Sequence, residues 1–324
     1  MLPSWTSVTD KANTRWAEVA CLVVLALLIP VPLYLVSLAL FGLPHIVWEL
    51  GYLARRYQKR WSWKWWAPVS VFLALQACAR LAVWQGHYAA DVGQIADLAA
   101  LMGLAACLVL APTPMHWSAR LGALTIMLTL LWLLQEGEWL MALLVLAIAH
   151  NFTPLGFALD LARSDARQRH MVRELAMYFG LPILVAVSGV SWHDELHIGS
   201  GQARLLSQQV PASWRHWGHE DALMSAVALA QCLHYAAVLR WLPAAVSGPG
   251  LPPLIGLRVR WLTGIVVATM LLYYLKDYTA ARQLYSVAAG LHAWLEWPIL
   301  LMVLWGQHWL HPSRRHSHEI GRTR

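Results

Sequence analysis

The chain has 324 residues, 59% hydrophobic and only 13% charged. A soluble domain carries about a quarter charged residues, so the composition excludes an ordinary water-soluble globular protein. The formal net charge of +7 is divided among many short loops instead of lying along one face, which argues against a nucleic-acid partner.

In chain order, apolar segments are predicted at 16–31, 32–53, 68–86, 97–111, 120–135, 139–160, 174–190, 221–243, 261–275 and 283–308. Repeated apolar runs of roughly 20 residues fit a bilayer crossing as helix. They are too long for the strands of a membrane barrel, which need about 9–11 alternating residues. The fold class predicted is all-α: a polytopic transmembrane helix bundle of nine or ten membrane segments. It forms a single integral membrane domain over 1–324, with an outer loop at 191–220 and a basic tail at 309–324. The first two segments meet at Pro30-Val31-Pro32. They are two short helices or one kinked helix, because proline removes a helical hydrogen bond. Met1–Asn13 is polar and no small-residue cleavage site follows the first apolar run, so no cleavable signal peptide is expected.

Lys and Arg alternate in phase with these segments. One set of loops holds Arg55, Arg56, Lys59, Arg60 and Lys64, then Arg120, then Arg163, Arg167, Arg169 and Arg173, then Arg240, Arg258 and Arg260, then Arg314, Arg315, Arg322 and Arg324. The other set holds Arg204, Arg215, Lys276 and Arg282, leaving only Lys11, Arg15 and Arg80 outside the alternation. The positive-inside rule then puts the basic loops and the C-terminus in the cytoplasm. The expected location is a bacterial inner membrane, with anionic lipid headgroups as partners of the basic loops. Many of the 20 tryptophans, among them Trp61, Trp63, Trp65, Trp66, Trp192, Trp214 and Trp217, fall near segment ends, where amphipathic rings suit the membrane interface. Cys21, Cys78, Cys107 and Cys232 are scattered through apolar runs. Their spacing suits small core residues and neither a disulfide framework nor a thiolate metal site.

Titratable groups inside apolar runs are functional candidates because hydrocarbon penalises them. Here they are His45, Glu49, His87, Asp91, His150, Asp160, His234, His292 and Glu296. Three pairs share one spacing: His45 with Glu49, His87 with Asp91, and His292 with Glu296. Residues four apart lie on one helix face. The carboxylate can therefore join the imidazole on a metal or accept its N–H. Segments 32–53, 139–160, 221–243 and 283–308 run in the same direction. At about 1.5 Å per residue, His45, His150, His234 and His292 then fall at nearly one depth, close to mid-membrane. His87 and Asp91 sit at the outer end of their segment and join only if the loop folds inward. Glu49 has a rival partner in the basic loop that starts at Arg55, and Asp160 has one in Arg163.

Imidazole and carboxylate together suit iron, manganese or zinc, and the scattered cysteines argue against an iron–sulfur cluster. The metal set expected is His45, His150, His234, His292, Glu49 and Glu296, with His87 and Asp91 as outer members. One or two non-haem iron ions come first; haem on His150 and His234 comes second. Catalytic assistance is assigned to Glu49, Glu296, Asn151 and Tyr235. Thr153, Gln231 and Tyr278 are further cavity-lining candidates, and Trp48, Trp294 and Trp297 could wall a lipid-like substrate. Two outer clusters, His193/Asp194/Glu195/His197 and His216/His219/Glu220/Asp221, read as solvated loop groups. Asp221 could cap segment 221–243.

At "FGLPHIVWE" (41–49) the chain resembles the bacterial Brp/Blh β-carotene dioxygenases, multi-helix membrane proteins with several histidines thought to hold iron. The resemblance implies that His45 is an iron ligand and that Glu49 takes the acid position. "GHYAAD" is loosely similar to a second histidine motif there and implies a role for His87. Where that family ends in a helix with closely spaced histidines, this chain has His292 with Glu296. More broadly, the resemblance implies an intramembrane oxygenase with a lipophilic substrate.

The leading expectation is a membrane-embedded, metal-dependent oxidoreductase resembling a non-haem iron oxygenase. It would use O2 and a lipophilic small molecule, with an electron-donor protein as a further partner. A proton- or ion-coupled transporter and a haem-binding membrane anchor are the alternatives.

Overall fold

A bilayer forces each spanning segment to satisfy its own backbone, so apolar runs become helices. In the computed structural model, which describes residues 5–57, 63–110, 117–136, 139–164, 169–190, 220–246 and 253–305, every regular element is helical. They are α1 (Trp5–Leu28), α2 (Pro30–Tyr57), α3 (Trp63–Trp84), α4 (Ala90–Leu110), α5 (Trp117–Gln135), α6 (Trp139–His150), α7 (Thr153–Ser164) and α8 (Arg169–Ser188). Then follow α9 (Glu220–Ala236), a π-turn (Ala237–Trp241), α10 (Leu242–Val246), α11 (Leu257–Lys276) and α12 (Tyr278–Trp305).

Among the described residues, eight helical stretches are long and apolar enough to cross a membrane, and Trp117–Leu133 is a shorter apolar helix. Most helices extend a few residues beyond the predicted apolar run. Hydropathy marks the part that meets hydrocarbon, whereas the hydrogen-bond ladder continues through interfacial residues. The first two segments are separate helices, broken at Ile29 ahead of Pro30, although Ile29 N–H still donates to Leu25 O and Leu33 N–H to Ile29 O. Segment 139–160 is also two helices. Asn151 and Phe152 donate backwards to Ile148 and Ala149 in tight three-residue turns. Pro154, which has no N–H to return to His150 O, prevents the α-helical ladder from continuing. Asp221 lies inside the first turn of α9 and not at a cap, because the helix already begins at Glu220.

Burial separates the centre of the bundle from its lipid face. From Ala228 to Tyr235, every residue of α9 is buried. By contrast α11 buries only Thr263 and Met270 and exposes Leu257, Trp261, Leu262, Ile265, Leu272 and Leu275. Around α9 pack α1, α2 and α8, while α12 packs against α2, α3, α4, α5, α7 and α11. Two of the cysteines expected in the core, Cys21 and Cys78, are exposed; Cys107 is partly buried and Cys232 buried, and all four are free thiols.

Ion pairs tie the helices to one another. Arg15 pairs with Glu174 at 2.6 Å, Arg240 with Glu18 at 2.6 Å and Arg56 with Asp160 at 2.7 Å. Arg163 Nη1 donates to Leu304 O at 2.6 Å, at the C-terminal end of α12, where free carbonyls attract a cation. The outer histidine clusters at 193–197 and 216–219, and the tail 309–324, lie outside the described residues.

Candidate metal centre

Each of the four histidines stands near a proline or a π-turn in or beyond its helix. His45 follows Pro44 inside α2, and His150 ends α6 four residues before Pro154. His234 lies three residues before the π-turn that starts at Ala237, a type of irregularity that is frequent at functional sites. His292 and Glu296 precede Pro298 in α12. Backbone breaks at membrane depth are tolerated where protein or a polar cavity surrounds them.

The four rings converge as a closed square. Their centroids are 4.8 Å apart for His45 and His292, 4.7 Å for His292 and His150, 4.8 Å for His150 and His234, and 5.2 Å for His234 and His45. Glu49 Oε2 lies 3.5 Å from His234 Nε2 and 3.7 Å from His292 Nε2. One ligand atom from each of His45, Glu49, His150, His234 and His292 falls within 4.8 Å of all the others. For comparison, two ligands about 2.1 Å from one ion lie about 3.0 Å apart at a right angle and about 4.2 Å apart when opposed. The group is therefore nearly the size of a single coordination shell.

Two of the rings face identifiable neighbours through Nδ1. His45 Nδ1 is 3.1 Å from Phe41 O, a contact that requires an N–H there and leaves the Nε2 lone pair free. That Nε2 is 3.1 Å from His292 Nε2. His150 Nδ1 is 3.0 Å from Glu296 Oε2, which leaves His150 Nε2 for the centre. Glu296 thus stands behind His150 and against the Glu49 carboxyl, one step outside the five-residue group.

Water is excluded. His45, Glu49, His234, His292 and Glu296 are each no more than 2% exposed, and the His150 side chain is 12% exposed. Both oxygens of Glu49 and both ring nitrogens of His234 lack a well-formed hydrogen bond. A buried carboxylate and imidazole left in that state cost several kcal/mol. A cation at the centre of the square would satisfy both, so the donor set fits a metal on its own chemistry.

Three predicted site residues stand elsewhere. His87 and Asp91 are exposed in and just after the α3–α4 turn, and the five-residue group contains neither. The turn does not fold inward, because α3 stops at Trp84 and Asp91 Oδ1 is occupied by Val92 N–H. The likeness at "GHYAAD" therefore brings no ligand to this centre. Asn151 follows His150, but its side-chain amide turns back to Ala147 O at 3.3 Å. Tyr235 does reach the centre: its ring lies 4.5 Å from that of His45, and its hydroxyl is hydrogen-bonded with Tyr285.

Asp160 and Gln231 resolve differently from the sequence reading, whereas Glu49 lies with the histidines as first expected. Asp160 takes Arg56 and the Tyr57 hydroxyl, at 2.8 and 2.9 Å, in place of Arg163. Arg55 donates to Pro253 O, while Glu49 faces the histidines. Gln231 bridges α9 to α2 through Tyr34 O and Ser37 Oγ. Trp294 is buried, with Trp48 and Trp297 partly so. Sequence reasoning passed over one polar group, Gln76, Arg80 and Asp97, on α3 and α4. Arg80 left over from the loop alternation was the signal that could have found it.

No family model matches the chain, and neither does any curated protein or solved structure.

Proposed function

We propose that the chain is a membrane-embedded, non-haem metal oxidoreductase, iron being the metal that best fits an oxygenase role, acting with O2 on a lipophilic substrate that reaches the centre from the bilayer. The observation that carries this reading is the water-excluded square of four imidazoles with Glu49, from four separate helical segments, at single-ion dimensions. His45, His150, His234 and His292 would hold the metal through imidazole nitrogen and Glu49 through carboxylate oxygen. Such a metal supplies a site for O2 and for electron transfer to or from the substrate.

The protein's own residues have separable roles. Phe41 O fixes the His45 tautomer, and Glu296 stands against His150 Nδ1 at 3.0 Å. Tyr235 covers one flank of His45. Phe41, 45% exposed, lies 6.4 Å from the Tyr235 ring and links the lipid face to that flank. The resemblance at residues 41–49 to carotenoid-cleaving membrane oxygenases supports a lipophilic substrate. The basic loops would face the cytoplasm, where an electron-donor protein could dock.

Haem is the weaker occupant. No macrocycle passes between His150 and His234 with ring centroids 4.8 Å apart and His45 and His292 closing the other sides. Metal analysis and an optical spectrum of the purified chain test the reading. The expected result is about one equivalent of iron without a Soret band. A protein that takes up no iron, manganese, cobalt or zinc overturns it and shifts weight to the same groups serving as an ion or proton relay.

A further inference from the structure

The bundle holds a second polar cluster within its apolar interior. Gln76 and Arg80 on α3 converge on Asp97 of α4. Gln76 Nε2 donates to Asp97 Oδ1 at 2.9 Å, Arg80 Nε to the same oxygen at 2.8 Å and Arg80 Nη2 to Oδ2 at 2.5 Å. Gln76 and Asp97 are buried and the Arg80 side chain is 19% exposed. The fork-to-carboxylate geometry is bidentate, the arrangement in which arginine fixes direction as well as charge.

Arg80 spends a further donor on a third helix. Its Nη1 binds the main-chain oxygen of Ser286, in α12, at 2.5 Å. Beside that contact lies Gly290. A Cβ there would overlap Gln76 Nε2 and come within 3.0 Å of Arg80 Cζ. Both side-chain ends are held by Asp97, so neither swings aside without losing hydrogen bonds. The absence of a side chain at 290 is what lets the cluster rest on the α12 backbone.

The geometry of a helix makes this contact relevant to the metal centre. At 3.6 residues per turn, positions 290 and 292 point about 200° apart. The face of α12 held by Arg80 is therefore roughly opposite the face that carries His292. A charged pair buried among helices is an expensive way to join what apolar side chains could join. What it adds is a fixed rotation and depth. Resting on the metal reading above, we propose that Gln76, Arg80 and Asp97 form a positioning unit that sets α12 through Ser286 and Gly290 and so aims His292 and Glu296 into the centre.

The test uses the full chain in detergent or nanodiscs, with Co2+ as the probe. Wild type is expected to bind about one equivalent with visible ligand-field bands. Arg80→Lys keeps the charge and loses the fork; Gly290→Ala loses no polar group and displaces the cluster. Each is expected to weaken Co2+ binding about 10- to 100-fold, as changes behind a metal ligand do, and to shift the bands. Arg15→Lys, at an ion pair between α1 and α8, which carry no ligand, is the control and is expected to leave the bands in place. Folding is checked by helical circular dichroism and gel filtration, and Gly290→Ala covers the case in which Arg80→Lys fails to fold. Folded variants with wild-type affinity and bands overturn the positioning unit while leaving the metal reading intact. A wild type that binds no Co2+ overturns both.

Discussion

His45 Nε2 and His292 Nε2 lie 3.1 Å apart although 247 positions separate them in the chain. His45 Nδ1 is committed to Phe41 O, so its Nε2 meets His292 as a lone pair. Two ring nitrogens at this spacing suit adjacent ligands of one shared cation. Replacing either residue by alanine is expected to reduce bound metal from about one equivalent to below about a tenth, since a ligand and its geometry vanish together. Elemental analysis of purified variants checks this, and full retention of metal in both would remove these two imidazoles from the coordination shell.

Glu49 and Glu296 should separate by role. Glu49 belongs to the five-residue group, whereas Glu296 stands just outside it, against both His150 Nδ1 and the Glu49 carboxyl. Glu296→Gln is expected to lower metal affinity about 10- to 100-fold, and Glu49→Gln by more, because a charged ligand is lost from the centre itself. Competition against a chromophoric chelator measures both. Equal losses, or a larger loss for Glu296, would contradict the assignment.

The Arg56–Asp160 pair predicts a stability effect distinct from metal binding. Asp160 is 1% exposed and accepts from both Arg56 and Tyr57. Asp160→Ala leaves a largely enclosed guanidinium without its carboxylate, at a cost of about 3 kcal/mol. Tyr57→Phe, which removes one hydrogen bond, is expected to cost about 1 kcal/mol. Unfolding of helical signal in mixed micelles gives both values, and an Asp160→Ala protein as stable as wild type would show the pair to be energetically silent.

Removal of the proposed metal should loosen the whole bundle, because the candidate ligands come from α2, α6, α9 and α12. A cation at 100 times its dissociation constant adds about 2.7 kcal/mol to folded-state stability. Chelation is therefore expected to lower the wild-type melting temperature and to leave that of His234→Ala unchanged. A chelator that shifts both proteins equally would place its action elsewhere.

The amino-acid sequence by itself determined the helical class, most helix positions and the shared depth of four histidines. Each of these follows from local physics: a run of about 20 apolar residues must close its own hydrogen bonds in lipid, and rise per residue converts position into depth. The four-residue spacing of His45 with Glu49 and of His292 with Glu296 was legible for the same reason. His87 and Asp91 have that spacing too, and only the tertiary structure shows them exposed beyond the end of α3. It also gave Asp160 to Arg56, turned Glu296 behind His150, and placed Arg80 against Ser286. These outcomes depend on how far each helix is rotated about its own axis, and rotation is decided by packing against neighbours that are remote in the chain. The length and polarity of a segment carry no record of it.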